Sequence, residues 1–425
     1  ASLGVLLALV NTIILLPALL AIFPIKAKKG GGETRARMDR ILDWVTDLST
    51  GRPKTITVVS LAIIALCLAG ALRLHFSHDV MEWLPQDLPA RQATEKIDQE
   101  FKGTVTVEVV LDTGRENGLY DPAFLKKLDF LGREMEGRKE GDIIVGKATS
   151  VADLLKEIHQ ALNENQPQFY VIPDNPALIP QEFLLFENSG SDDLEDVIDS
   201  QFRLARFTMS VPMKDAIAYL PLLASVEDRF SEVLGSETEI TVTGMGFLFF
   251  RTTIAAIHSM AQSYIIAFLV ITGMMILLIG SFKIGLVAML PNLAPIIVTM
   301  GLIKLVGFPL DMFTMLIGSI AIGLAVDDTI HFTHNFRRYY AQTGDPKESV
   351  RLTLHTAGRA MMATTVVLSL GFFIFMFASM NNLFRFGLLT GVTVLLALLA
   401  DFLLAPALMV LIHRNKKEKG QGGSK

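Results

Sequence analysis

Seven windows of about 20 predominantly apolar residues recur along this chain, near 1–24, 55–75, 260–280, 284–306, 312–334, 359–380 and 386–412. A helix of that length matches the hydrocarbon thickness of a bilayer and satisfies all of its backbone polar groups internally, as lipid requires. A polytopic α-helical membrane protein is therefore expected, a transmembrane helix bundle of about seven spans. Half of the residues are hydrophobic and mean hydropathy is +0.44, so composition agrees. Each window is longer than the apolar core of a secretory signal, so the first is expected to be a span. The single cysteine, Cys67, lies inside the second window and can form no internal disulfide.

Lysine and arginine set the orientation. Basic residues crowd segment 26–54 (Lys26, Lys28, Lys29, Arg35, Arg37, Arg40, Arg52, Lys54), the loop with Arg337, Arg338, Lys347 and Arg351, and the tail with Arg414, Lys416, Lys417 and Lys419. The positive-inside rule makes all three cytoplasmic. Alternating the spans from there puts residues 76–258 outside, where acidic side chains outnumber basic ones about two to one. The expected organisation is a span at 1–25, a cytoplasmic linker at 26–54, a span at 55–75, an outer domain at 76–258, five spans over 259–413 and a basic cytoplasmic tail at 414–425. A multi-pass protein of a bacterial inner membrane with a periplasmic inserted domain fits this layout.

The inserted domain reads as α+β. Strand-like runs at Thr104–Leu111, Asp142–Thr149, Arg203–Val211 and Glu239–Val242 alternate with helical patterns near 122–136, 151–162, 176–189 and 215–234. Two βαβ-type units, a ferredoxin-like pair with helices on one face of each small sheet, are the economical interpretation. The stretch Asn163–Pro180, with Pro167, Pro173, Asn175 and Pro176, is expected to be the loop between them.

An internal repeat enlarges the picture. Asn11-Thr-Ile-Ile-Leu-Leu-Pro17-Ala-Leu-Leu in the first span matches Ala400-Asp-Phe-Leu-Leu-Ala-Pro406-Ala-Leu-Met in the last, and a basic segment follows each. If the last span closes a bundle of six, the first closes an earlier bundle of six. An N-terminal half of the same transporter is then an expected partner, since parallel repeats are common in transporters.

The chemistry concentrates in the fifth span. Ser319, Gly323, Asp327 and His331 are spaced by four and form one small, polar stripe on a helix face, with Asp328 beside Asp327. Small residues let a neighbouring helix approach closely, and that neighbour must shield or pair the acids. Acids in hydrocarbon are costly and usually belong to an ion or proton path. Asp327, Asp328 and His331 are the expected proton relay, with Ser319 and Gly323 in support. Thr364 and Thr365 of the sixth span are candidates to hydrogen-bond an acid of the fifth, although bonding back to their own helix is the commoner fate. Asp401 in the last span is a second candidate acid. Asn292, between Pro291 and Pro295, is expected to serve structure, and Lys304 and Asp311 to flank an outer turn at the interface.

Other chemistry is absent from the pattern. His75, His78 and Asp79 are too sparse a set for a metal, and the sequence has neither a phosphate-binding loop nor a nucleophile elbow. The expectation is a secondary transporter and not an enzyme, with no cofactor, no metal and no nucleic acid partner.

Gly323-Leu-Ala-Val-Asp327-Asp328-Thr-Ile-His331 resembles the GxxxDD signature of the resistance–nodulation–division (RND) superfamily, in particular its MMPL and sterol-sensing-domain-like branch of lipid and hydrophobe exporters. Pro291-Asn-Leu-Ala-Pro295 resembles the proline-rich span just upstream in that branch. The resemblance implies that spans two to seven correspond to the family's spans 7–12, the first to its span 6, and the inserted domain to its second porter domain. It further implies proton antiport through Asp327 and Asp328, a hydrophobic or lipid substrate, membrane lipids as partners, and a homo-oligomer, dimer or trimer. A protein-export accessory of the SecD/SecF kind and a non-transporting lipid sensor are the alternatives.

Overall fold

The computed structural model describes residues 2–23, 32–74, 76–190 and 193–421. Lys26, Lys28, Lys29 and His75 lie outside the described residues, as do the side chains of Arg35, Arg414, Lys416, Lys417 and Lys419.

The first expected span is helix α1, Ser2–Ile22, whose described side chains are all exposed. Helix α2, Gly32–Gly51, follows, and Arg52 alone separates it from α3, Pro53–Ala71, where proline occupies the first turn and sacrifices no hydrogen bond. Six helices among the described residues are long and apolar enough to cross a membrane; α1 contributes a shorter apolar run, Leu6–Ile22.

The inserted domain begins with α4, Pro89–Phe101, a helix that the alternation of strand and helix patterns did not reveal. Strand β1 (Val105–Asp112) and helix α5 (Pro122–Met135) come next, then a two-stranded ribbon of β2 (Lys139–Glu140) and β3 (Ile143–Ile144), and the short β4 (Ala148–Thr149). Helices α6 (Val151–Leu162) and α7 (Leu178–Glu187) precede β5 (Leu204–Val211), α8 (Leu220–Leu234) and β6 (Glu239–Thr243). The two expected units share a single antiparallel sheet of order β4-β5-β1-β6, the strand order of a ferredoxin-like fold, with α6 and α7 inserted at its middle. Sharing has a physical cause: β1 alternates buried and open residues, and its buried set Val107, Val109 and Leu111 needs neighbours on both edges. Val109 pairs with Phe207 on one side and Val242 on the other. Helices α5 and α8 cover the buried face through Leu125, Leu128, Leu222, Val226 and Phe230.

Helix α9, Met245–Ile279, joins domain to bundle without a break across the expected boundary at 258/259. Its 35 residues span about 52 Å at 1.5 Å per residue. Its first turns are docked on the sheet. A methyl group at Gly246 would lie 2.3 Å from Val105 Cγ1, and Phe250 stacks on the buried Tyr219 at 3.8 Å between ring centroids.

The remaining spans are α10 (Phe282–Val306), α11 (Met312–Thr343), Pro346–Phe377 and Asn381–His413. The third of these contains α12 (Pro346–Thr353), a π turn at 354–358 and α13 (Arg359–Phe373); the fourth contains α14 (Asn381–Leu399), a π turn at 400–404 and the start of α15 (Ala405–Gln421). The expected basic loop after the fifth span is helical almost throughout, with only Gly344 and Asp345 between α11 and α12. Asp311 is not at the interface: it is buried and caps α11, exchanging hydrogen bonds with Thr314 at 2.7 Å each way. Helix α10 is central despite Pro291 and Pro295 and meets α3 closely, because a methyl group at Gly301 would lie 2.6 Å from Cys67 Cβ.

Candidate functional site

Helix α11 carries the acid pair, and its helical period assigns the two acids different surroundings. Asp327 lies on the outer side with Ser319, Gly323 and His331, all exposed; its side chain is 74% accessible and that of His331 62%. The two approach to 3.7 Å. No neighbouring atom lies within 4 Å of a methyl group built on Gly323. The expected small, polar stripe thus exists, and no described helix covers it. Tyr264 of α9 reaches in beside it, its hydroxyl donating to the carbonyl of Met315.

Asp328, 100° further round the helix, is half-buried. It shares with Asp327 and His331 a cavity of about 300 Å³ whose far wall is Thr356, Ala360 and Thr364. Thr356 belongs to the π turn of the next span, and such turns often mark functional positions because they rotate side chains out of the regular ladder. Thr364 lines the cavity but bonds back to its own helix, at 3.1 Å to the carbonyl of Ala360 and 3.0 Å to that of Met361. Thr365 is buried and does not line the cavity.

Thr329, the residue after the pair, turns into the core and was not singled out by the sequence. Its hydroxyl lies 2.6 Å from Asn292 Oδ1 on α10 and 2.6 Å from Asp401 Oδ1 on the π turn 400–404. Asp401 is 1% exposed, and its Oδ2 has no hydrogen-bond partner among the described residues. A threonine hydroxyl holds one proton, so it donates to one of these oxygens and accepts from the other side. That balance closes when Asp401 is a neutral acid donating to Thr329, or when the Asn292 amide is turned to donate. The structure therefore brings Asp401, Thr329 and Asn292 together inside the bundle, one residue along α11 from Asp328. The sequence offered one clue to this: a buried Asn and a buried Asp on separate spans need a polar neighbour, and Thr329 is the polar residue beside the acid pair.

At the bundle end remote from the inserted domain, α2 is clamped to the start of the span Pro346–Phe377 by a ladder. Asp39, Asp43 and Asp47, spaced by four, face Lys347, Arg351, His355 and Arg359, also spaced by four and running the opposite way. Lys347 meets Asp47 at 3.0 Å, Arg351 meets Asp43 at 3.1 Å, and His355 lies 2.8 Å from Asp43 and 3.5 Å from Asp39, which Arg359 also binds. The hydrogen bond from His355 holds the Asp43 carboxyl below the usual carboxylate range, helped by Arg351.

Near the other end of the bundle, His78 is buried against Trp83, edge-on at 4.8 Å, and Phe249. Burial pulls its pKa below the ordinary histidine value, partly offset by Asp311, Asp215 and Asp79. Asp79 caps the short turn that follows by accepting from the Met81 N–H at 2.8 Å. Among the described residues no group of three or more His, Cys, Asp or Glu is arranged to hold a metal.

Comparison with known proteins agrees with this architecture. MJ1562 of Methanocaldococcus jannaschii, described as a membrane protein, is 22% identical over 398 residues, 88% of this chain and 95% of that protein. The toluene efflux pump membrane transporter TtgB of Pseudomonas putida is 25% identical over 175 residues, 39% of this chain. The multidrug resistance protein MdtF of Escherichia coli is 29% identical over 166 residues, 38% of this chain. Each of these two matches covers 16% of the relative's own length. Residues 220–423, α8 through α15 with their buried acid, match the MMPL family. That segment, 204 of the chain's 425 residues, is where its similarity to the MMPL family lies.

Proposed function

We propose that this chain forms half of a proton-driven exporter of hydrophobic or lipidic substrates, with Asp328, Thr329 and Asp401 carrying the proton through the bundle. The observation that carries this is the buried Asp401, with one oxygen bridged by Thr329 and the other without a hydrogen-bond partner among the described residues. A carboxyl in an apolar interior without a cation is stable when protonated, and it becomes an acceptor again when a neighbouring charge moves. Asp327 and His331 form the outer end of the path, on the face that a partner half-bundle would cover. That cover is needed physically, because an exposed carboxylate in lipid is costly.

The basic linker and tail favour the remote end of the bundle as cytoplasmic, which makes the α+β domain periplasmic. Helix α9 is the coupling element. It is continuous from the sheet to the turn at Gly280 and touches α11 through Tyr264, so a shift of α11 on protonation moves a rod anchored in the domain.

The test is flux. The full-length protein is reconstituted with a fluorescent hydrophobic probe under an imposed pH gradient, as wild type and as Asp327→Asn, Asp328→Asn and Asp401→Asn. Gradient-driven movement of the probe is expected in wild type alone, falling at least about tenfold with Asp328→Asn or Asp401→Asn, an effect of about 1.4 kcal/mol on the coupled step. Unchanged flux in both folded variants would make these acids structural.

A further inference from the structure

A second cleft lies at the remote end of the bundle, between the last turns of α9 and the second half of α11. Its volume is about 380 Å³. Met275, Leu278, Ile279 and Ile330 form its apolar walls, and His334, Arg337 and Arg338 its rim. Among the described residues, none that lines it is acidic.

The basic residues of the neighbouring ladder already have carboxylate partners: Lys347, Arg351 and Arg359 pair with the acidic stripe of α2, which also bonds His355. Arg337 and Arg338 have no carboxylate partner among the described residues. Arg337 is held across the mouth of the cleft by a 3.4 Å hydrogen bond from its Nη1 to the carbonyl of Leu278, and Arg338 lies over the Tyr339 ring. Leu277 and Leu278, with Met274 one turn earlier, are exposed and extend the apolar wall along α9 toward the middle of the bundle.

We propose that this cleft binds the phosphodiester headgroup of an anionic lipid from the leaflet remote from the α+β domain. The chemistry matches part by part. Guanidinium groups donate in pairs to phosphate oxygens, and two of them side by side at a membrane edge suit one diester. The acyl chains need an apolar wall that begins at the headgroup, which Leu278, Leu277 and Met274 supply. Basic clefts between spans on the cytoplasmic side are a recurrent setting for anionic headgroups. A free phosphate ion would use the arginines and leave the apolar walls wet, so the two sources are separable. The site is independent of the proton path and does not rest on transport.

The experiment uses the full-length protein in a neutral detergent. Phosphatidylglycerol, phosphatidylcholine or inorganic phosphate is added, and retained lipid is counted by native mass spectrometry alongside the thermal unfolding midpoint. Wild type should retain phosphatidylglycerol in preference to phosphatidylcholine and gain stability from it, with no response to inorganic phosphate. The double variant Arg337→Gln/Arg338→Gln should hold phosphatidylglycerol about tenfold more weakly, the scale of one lost charge-assisted hydrogen bond. Arg351→Gln, whose charge already has a partner, should match wild type. Leu278→Trp, which fills the cleft and keeps both arginines, gives the same loss by a second route should the double variant fold poorly. Equal retention by wild type, the double variant and Leu278→Trp would overturn the assignment, as would a response to inorganic phosphate that equals the lipid's.

Discussion

The Thr329 hydroxyl lies 2.6 Å from Asp401 Oδ1, joining two helices 72 residues apart in the chain through one proton. Replacing that hydroxyl while keeping the shape of the side chain isolates its contribution. Thr329→Val should leave a buried carboxyl and a buried amide without their shared partner, costing about 1–3 kcal/mol of stability. Thr329→Ser should restore most of it. The thermal midpoints of the two variants, measured side by side, decide this; equal midpoints would mean the hydroxyl is replaceable by water.

Gly246 sets how closely α9 approaches the sheet. Gly246→Leu must push Val105 and the carbonyl of Thr106 aside, since a methyl group there already lies 2.3 Å from the former and 2.9 Å from the latter. Overpacking of this kind costs about 1–3 kcal/mol. The expected result is faster hydrogen exchange in β1 and in the first turns of α9, with α10 and α11 unchanged. Uniform exchange across the whole chain would show that the domain and the bundle are not joined through this seat.

The ladder between α2 and the start of the span Pro346–Phe377 is exposed enough for salt to weaken it, and each pair is expected to contribute only about 0.2–1 kcal/mol. Asp43→Lys places a cation beside Arg351 and His355 and should loosen α2, which limited proteolysis at the linker would detect. Adding Arg351→Glu should recover protection by re-forming the pair in reverse. If the double variant is as labile as the single one, the ladder is incidental to how α2 docks.

Burial lowers the His78 pKa, so the folded protein keeps the ring neutral at pH values where the unfolded chain protonates it. The unfolded state then binds more protons, and stability falls as pH drops below the ordinary value of 6.5 toward the depressed one, while above 6.5 the contribution is fully present. His78→Phe should flatten that slope. The chain has two tryptophans, so a Trp44→Phe background leaves Trp83, edge-on to the imidazole, as reporter. Its fluorescence should titrate below pH 6.5 with His78 present and stay level in His78→Phe.

Much of the domain was legible from local pattern. The alternation of Val105, Val107, Val109 and Leu111 announces β1, and Ser150 with Asp153 forms the capping box that starts α6. Pairing was not legible, because β1 chooses β5 and β6 from positions about 100 or more residues away, and both patterns fit two separate sheets equally well. The candidate site divides the same way. The four-residue spacing of Ser319, Gly323, Asp327 and His331 predicted a shared face correctly, but nothing local says whether that face looks into the bundle or away from it.

What the sequence determined by itself is the membrane class, the order of the long apolar helices and the presence of acids among them. These follow from transfer free energies that accumulate residue by residue and from helical periodicity, both local quantities. Only the tertiary structure decided that Asp327 is exposed, that Asp328 opens on a cavity and that Asp401 is the acid in the core with Thr329 and Asn292 as neighbours. The reason is that burial of a side chain belongs to the packing of α10, α11 and the 400–404 turn around it, and no span carries that information alone.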